Sequence, residues 1–134
     1  MADRPHATAD NAGQGVLMTQ IATGGLAFPA DEPVEVGGTA TGPGPYDLLC
    51  AALSACTAMT LRLYADRKAW PMLAIHVEVE HAREEGATPP DLFRRTLRLD
   101  GPLDDEQRTR LLQIADRCPV HRTLTAGARI VTTA

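Results

Sequence analysis

The sequence predicts an α+β fold in which a long, buried central helix packs on antiparallel sheets, and three observations carry that prediction. The run over 45–68 is apolar and nearly free of helix breakers, the stretches flanking 83–91 alternate apolar with polar residues, and a second amphipathic segment follows over 104–118. Helices gathered against antiparallel strands, without a repeating strand-helix-strand order, favour α+β over a wound parallel sheet. No internal repeat or low-complexity tract breaks this order.

Residues 1–13 are polar and lack the continuous apolar stretch of a signal peptide. They are expected to form a mobile tail on a single domain over 14–134, in the cytoplasm. The apolar and β-branched content over 16–21 predicts a strand, and Gly24-Gly25 predicts a hairpin turn into a second strand over 26–28. Pro29, Pro33 and Pro43, with Gly37, Gly38, Gly42 and Gly44, then make 28–44 a long connection. Connections of that length often carry function.

The central helix should begin near Pro45, which is tolerated in a first turn, with Asp47 suited to the positive helix end, and should stop before Trp70-Pro71. At helical spacing Leu49, Ala52, Leu53, Cys56, Met59, Thr60 and Leu63 share one side, and apolar residues cover much of the rest as far as Leu61. A helix apolar nearly all round is expected to be buried. Its length and the charges Arg62, Asp66, Arg67 and Lys68 at its C-terminal end argue against a membrane span.

Beyond the helix, Leu73, Ile75, Val77, Val79 and His81 alternate with Ala74, His76, Glu78, Glu80 and Ala82, the pattern of a strand with one wet face. The partner strand places Phe93, Leu97 and Leu99 inward and Arg94, Thr96, Arg98 and Asp100 outward, and Arg95 falls on the apolar side. Asp104 and Gln107 have the chemistry of a capping box, opening a helix whose stripe of Leu111, Ile114, Ala115 and Cys118 faces the core. Pro119 is expected to end that helix, and 124–133 to form a last strand.

A chain of 134 residues with 44% hydrophobic content can build one real core. A net charge of −4 and 4% aromatic residues offer no basic footprint and few stacking surfaces, so nucleic acid is not an expected partner, and neither is a membrane. Three cysteines are an odd number, and a reducing compartment disfavours permanent bridges, so a disulfide here would be transient and catalytic. Cys56 and Cys118 both face the predicted core, a pairing that points to thiol chemistry.

At this point the residues resemble a known family. Asp31-Glu-Pro with Gly37-Gly38, Gly42-Pro-Gly-Pro-Tyr-Asp-Leu-Leu49, Ala51-Ala-Leu-Ser-Ala-Cys-Thr57, the run from Met59 to Lys68, and Ala115-Asp-Arg-Cys-Pro-Val-His-Arg-Thr-Leu124 resemble the OsmC/Ohr superfamily of thiol-dependent hydroperoxide reductases, the OsmC branch in particular. The resemblance spans about residues 14–133. It implies an intertwined homodimer with the two long helices buried centrally, Cys56 as the attacking thiol and Cys118 as the resolving one. It further implies no bound cofactor and an external dithiol reductant of lipoyl type. Organic hydroperoxides suit an apolar lining, where the alkyl tail leaves water at roughly 25 cal/mol per Å². Peroxidase members of the family carry an arginine just after the paired glycines of the N-terminal hairpin and a glutamate ten residues before the first cysteine; here those positions hold Leu26 and Tyr46.

The group that activates Cys56 is therefore open among Tyr46, Asp47, His121 and Arg95. Asp47 is one helical residue, about 100°, away from the family's glutamate position. His121 could lower a thiol pKa; no second ligand pair makes it half of a metal site, and no metal is expected. Arg95 is read first as a strand-end partner of an interface carboxylate and second as a replacement cation. Cys50 and His81 are read as core or interface residues. Three classes of function follow: a hydroperoxide reductase, an OsmC-like redox sensor or other thiol protein, and a non-catalytic dimer that binds a small apolar ligand.

Overall fold

The computed structural model describes residues 4–13 and 15–134. The first three residues of the expected tail, and residue 14, where the domain was expected to begin, lie outside the described residues. The chain divides into two compact units, one ending at Leu48 and one beginning at Leu49.

The first unit holds an antiparallel three-stranded sheet of β1 (Thr8–Asp10), β2 (Thr19–Thr23) and β3 (Leu26–Ala30), in that order. Within the expected tail, Thr8–Asp10 is a strand, pairing Ala9 with Ile21. The strand expected over 16–21 begins at Thr19 instead, because Val16 and Leu17 are turn residues, and the side-chain amide of Asn11 ties the loop by donating to the Val16 carbonyl at 3.0 Å. Gly24 and Gly25 make the expected two-residue turn with φ of 55° and 81°, a left-handed pair that glycine adopts without a Cβ penalty.

After β3 the long connection folds around one carboxylate. Asp31 is buried, and its oxygens accept from the Glu32 N–H at 2.8 Å, from the Thr39 and Thr41 hydroxyls at 2.6 and 2.7 Å, and from both threonine N–H groups. Five donors on a buried carboxylate hold its pKa well below the usual range, led by the two hydroxyls. Gly38 passes so close to the Glu32 carbonyl, and Gly42 to that of Pro29, that a Cβ at either position would run into backbone. The connection is thus an ordered scaffold leading into the helix.

The central helix, α1 (Pro45–Arg67), has the expected extent. Asp47 accepts the Gly44 N–H at 2.9 Å, satisfying a donor at the helix start. The expectation of burial all round needs correction. Within the chain the buried positions are Leu53, Thr57, Leu61 and Ala65, one stripe at a spacing of four, while Leu49, Met59 and Leu63 are exposed. The length argument against a membrane span also fails, since 23 residues of this composition suffice to cross a bilayer.

In the second unit, β4 (Ala74–Arg83) and β5 (Asp91–Asp100) form an antiparallel pair in the predicted register of faces, with Ile75 opposite Leu99, Val77 opposite Leu97 and Val79 opposite Arg95. The next helix, α2 (Asp105–Ala115), opens with the expected capping box: Gln107 N–H donates to Asp104 at 2.7 Å and Asp104 N–H to the Gln107 side chain at 2.9 Å. Leu61, Ala65, Met72, Leu99, Leu103, Leu111, Ile114 and Ala115 make the core.

Two expectations fail at the C-terminus. The helix ends at Ala115, before Cys118, and Pro119 begins a further helix, α3 (Pro119–Ala126), rather than ending one. The strand expected over 124–133 is absent; residues 127–134 have no regular structure. Proline is as acceptable in the first position of a helix as it is disruptive inside one, so Pro119 alone marked a boundary without its direction.

Candidate functional site

Two thiols meet in the second unit. Cys56 lies midway along α1 and is partly exposed, whereas Cys118 is fully buried at the N-cap of α3. No disulfide joins them, and the two thiols lie near enough for each to shift the other's pKa. The expectation that Cys118 faces the core holds, although its position comes from the turn between α2 and α3 and not from the end of one long helix.

The surroundings of the sulfurs differ. At Cys118 the His121 N–H points at the sulfur from 3.5 Å, the N-cap contact of α3, and the Val120 N–H adds to it. Burial, the largest single influence, raises the Cys118 pKa, but these donors together with the Cys56 thiol outweigh it and bring the pKa below its ordinary value. Cys56 goes the other way. Burial pushes its pKa up, and the neighbouring Cys118 sulfur pushes it further, while the Val120 N–H and Thr60 oppose the rise.

Behind Cys118 stands an ordered polar arm. Arg95 projects from the apolar face of β5 and donates to the Thr57 hydroxyl at 3.1 Å and to the Asp116 carboxylate at 3.0 Å. Its side chain is 13% exposed, so its charge sits mostly out of water. Arg95 thus has a carboxylate partner, Asp116, and reaches the hydroxyl of Thr57, the residue after Cys56. Asp116 also lies 3.9 Å from the His121 ring, which links α3 to the same arm.

The remaining candidates have other surroundings. Asp47 serves the helix start through Gly44, Tyr46 is 52% exposed in the first turn of α1, and Leu26 is 71% exposed on β3. His81 bonds Asp91 at 2.9 Å and stacks on Phe93, in keeping with a structural reading. Among the described residues no group of three or more His, Cys, Asp or Glu side chains converges as a metal site would require. The sequence reading missed Thr57. Its signal was available, as a hydroxyl beside Cys56 on an otherwise apolar helix face must be satisfied if buried.

With this geometry in hand, comparisons place the chain. A sequence model of the family described as OsmC-like protein matches residues 38–133. Among solved structures the chain is similar to an OsmC-like protein from Mycoplasma pneumoniae, with a TM-score of 0.74 at 22% identity, over 93% of this chain and 89% of that one. It is also similar to an organic hydroperoxide resistance protein from Legionella pneumophila, with a TM-score of 0.69 at 19% identity over 92% and 90% of the two chains. A third is an organic hydroperoxide resistance protein from Elizabethkingia anophelis, with a TM-score of 0.68 at 19% identity over 92% and 89%. Compared with curated proteins, the chain has no match. The α+β arrangement is the fold these structures share.

Proposed function

The chain belongs to the OsmC family, and from that premise we propose that it reduces organic hydroperoxides with Cys56 as the attacking thiol and Cys118 as the resolving one. The observation that carries the reading is that two reduced thiols lie near each other, one partly exposed and one fully buried. Solved relatives that bear the name organic hydroperoxide resistance protein support the substrate class.

The chemistry closes in three steps. The Cys56 sulfur attacks the outer oxygen of the hydroperoxide, the O–O bond breaks, and the alcohol leaves with a proton, giving Cys56 sulfenic acid. The Cys118 sulfur then attacks the Cys56 sulfur; water leaves and a disulfide forms. An external dithiol of lipoyl type attacks that disulfide and departs as its own cyclic disulfide, restoring both thiols. Free thiols need a reducing compartment such as the cytoplasm.

The working unit in this reading is a homodimer. Ala51, Ala55, Met59 and Leu63 recur every fourth residue on α1 and are exposed in the single chain, opposite the buried stripe of Leu53, Thr57, Leu61 and Ala65. A second copy would cover that outer face.

The test counts thiols in the purified protein before and after one equivalent of cumene hydroperoxide, with Cys56→Ser and Cys118→Ser alongside. The expected result is loss of two thiols in the wild type, their return with a dithiol, and an inert Cys56→Ser protein. Thiols that persist for hours at neutral pH would end the peroxidase reading. The replacement of the family's arginine and glutamate by Leu26 and Tyr46 gives the redox-sensor reading its support; a disulfide that forms only with other oxidants would select it.

A further inference from the structure

We propose that Arg95 is a positioning residue for the step that closes the disulfide between Cys56 and Cys118. It clamps the residue that follows the attacking cysteine to the turn that carries the resolving one. The proposal rests on the two-cysteine reading above; the clamp itself stands on its hydrogen bonds.

The guanidinium joins elements far apart in the chain. One terminal nitrogen donates to the Thr57 hydroxyl at 3.1 Å and the other to the Asp116 carboxylate at 3.0 Å. Thr57 is the neighbour of Cys56 on α1, and Asp116 caps the end of α2 two residues before Cys118, the N-cap of α3. Because the guanidinium is planar, its two bonds leave in one rigid fork, and the separation of their acceptors is set with it. The turn's own backbone bonds run from the Asp116, Arg117 and Cys118 N–H groups to the Gln113, Ile114 and Ala115 carbonyls, and so tie it back to α2. Arg95 ties it to α1. Leu61 and Ala65 of α1 pack with Ile114 and Ala115 in the core, so the clamp carries that attachment one helical turn back, to the level of the cysteine.

An arginine is a costly choice at this place, which argues for a use beyond stability. It projects from the apolar face of β5, opposite Val79, where a largely buried ion pair is often no better than apolar side chains of the same size. Nor do its partners depend on it. The buried Thr57 hydroxyl already donates to the Leu53 carbonyl at 2.7 Å, and Asp116 is 67% exposed and open to water. Removing the guanidinium therefore strands no buried polar group, and what disappears is the link between the two elements that carry the cysteines.

The step concerned is the second of the cycle. The Cys118 sulfur bonds to the Cys56 sulfur, the S–O bond of the sulfenic acid breaks, and the oxygen leaves as water with the Cys118 proton. This closure races against a second hydroperoxide, which would pass an oxygen to the sulfenic acid, giving sulfinic acid and the alcohol. A group held in place gains from orientation, and a misplacement of about 1 Å, from a change away from the reacting atoms, costs on the order of a hundredfold. A clamp that registers α1 against the turn between α2 and α3 acts on that race, once the first attack is over.

The test compares wild type, Arg95→Met, Asp116→Ala and the double variant as reduced full-length proteins. Methionine suits an apolar strand face, so Arg95→Met should keep or raise the thermal midpoint; Asp116→Ala, at an exposed position, serves if Arg95→Met does not fold. After one equivalent of cumene hydroperoxide, quenched samples are followed by mass spectrometry for Cys56 sulfenic acid, trapped with dimedone, and for the disulfide. In Arg95→Met, closure should slow by roughly tenfold or more relative to the attack on the hydroperoxide, and excess hydroperoxide should leave Cys56 as sulfinic acid. Asp116→Ala should slow the same step, and the double variant should be no slower than Arg95→Met alone, as two ends of one clamp require. Closure as fast as in wild type, equal slowing of both steps, or additive losses in the double variant overturn the assignment. If the hydroperoxide oxidises none of the proteins, the peroxidase reading fails, and the clamp is judged by equilibrating the thiols with oxidised and reduced dithiothreitol. Arg95→Met should then need a roughly tenfold more oxidising ratio to form the disulfide, and an equal ratio overturns the clamp as well.

Discussion

Asp31 shows how one side chain can hold a long connection in a single conformation. Its five donors come from Glu32, Thr39 and Thr41, so the carboxylate draws together residues that sequence patterning read only as loop. Asn at this position keeps one oxygen but turns a donating amide towards N–H and O–H groups that also donate, which leaves polar hydrogens unpaired. Asp31→Asn is therefore expected to lower the thermal midpoint at neutral pH. The pH dependence has a definite sign: a carboxyl whose folded pKa is depressed stabilises fully above its unfolded value of about 4 and loses that contribution as pH falls below it. The gap in thermal midpoint between wild type and variant should thus shrink on going from neutral pH to about pH 3. A gap of equal size at both would show that the charge is not what stabilises the loop. Arg95 was legible in the sequence as a charge on the wrong face of a strand, and its true use was not, since Thr57 and Asp116 reach it from elements distant in sequence.

Among the elements, those set by local periodicity were readable and those set by pairing or direction were not. The long helix, the β4–β5 alternation and the capping box at Asp104 follow from residues within a few positions of one another, and all three are present. Strand β1 has three exposed residues and no apolar pattern; only its pairing with β2 makes it a strand. Cys118 and Pro119 read equally well as the end of one helix or the start of another. The decision lies with the N–H of His121, which finds the Cys118 sulfur once the chain has turned after Ala115. The α2 cap separates stability from thiol chemistry. Asp104→Ala removes the side-chain arm of the box, the acceptor of the Gln107 N–H, and should cost about 1 kcal/mol in a urea melt. Because the cap lies at the far end of α2 from Asp116, the loss of two thiols on adding cumene hydroperoxide should be unchanged; a slower loss would mean that the thiol site responds to general loosening of the helix.

At the scale of the whole molecule, α1 poses a question that a single chain does not answer. Its inner stripe is buried in the core, yet Ala51, Ala55, Met59 and Leu63 form an outer stripe two residues out of step, about 200° round the helix, and every member is apolar and exposed. Met59 is 66% and Leu63 57% exposed, an unusual use of large side chains in the middle of a long helix. Burying such a side chain is worth about 1.5–3 kcal/mol, so two copies each covering the other's stripe would gain from several residues at once. The proposed homodimer accounts for a helix that is apolar nearly all round where the isolated fold accounts for half of it. Met59→Glu combined with Leu63→Glu places charges on the outer stripe and leaves Leu53, Thr57, Leu61 and Ala65 untouched. Wild type is expected to sediment at twice the chain mass with a thermal midpoint that rises with protein concentration, and the double variant to sediment as a single chain with no such dependence. A wild type that is monomeric at high concentration would return the outer stripe to solvent, and with it the reading that two copies complete this protein.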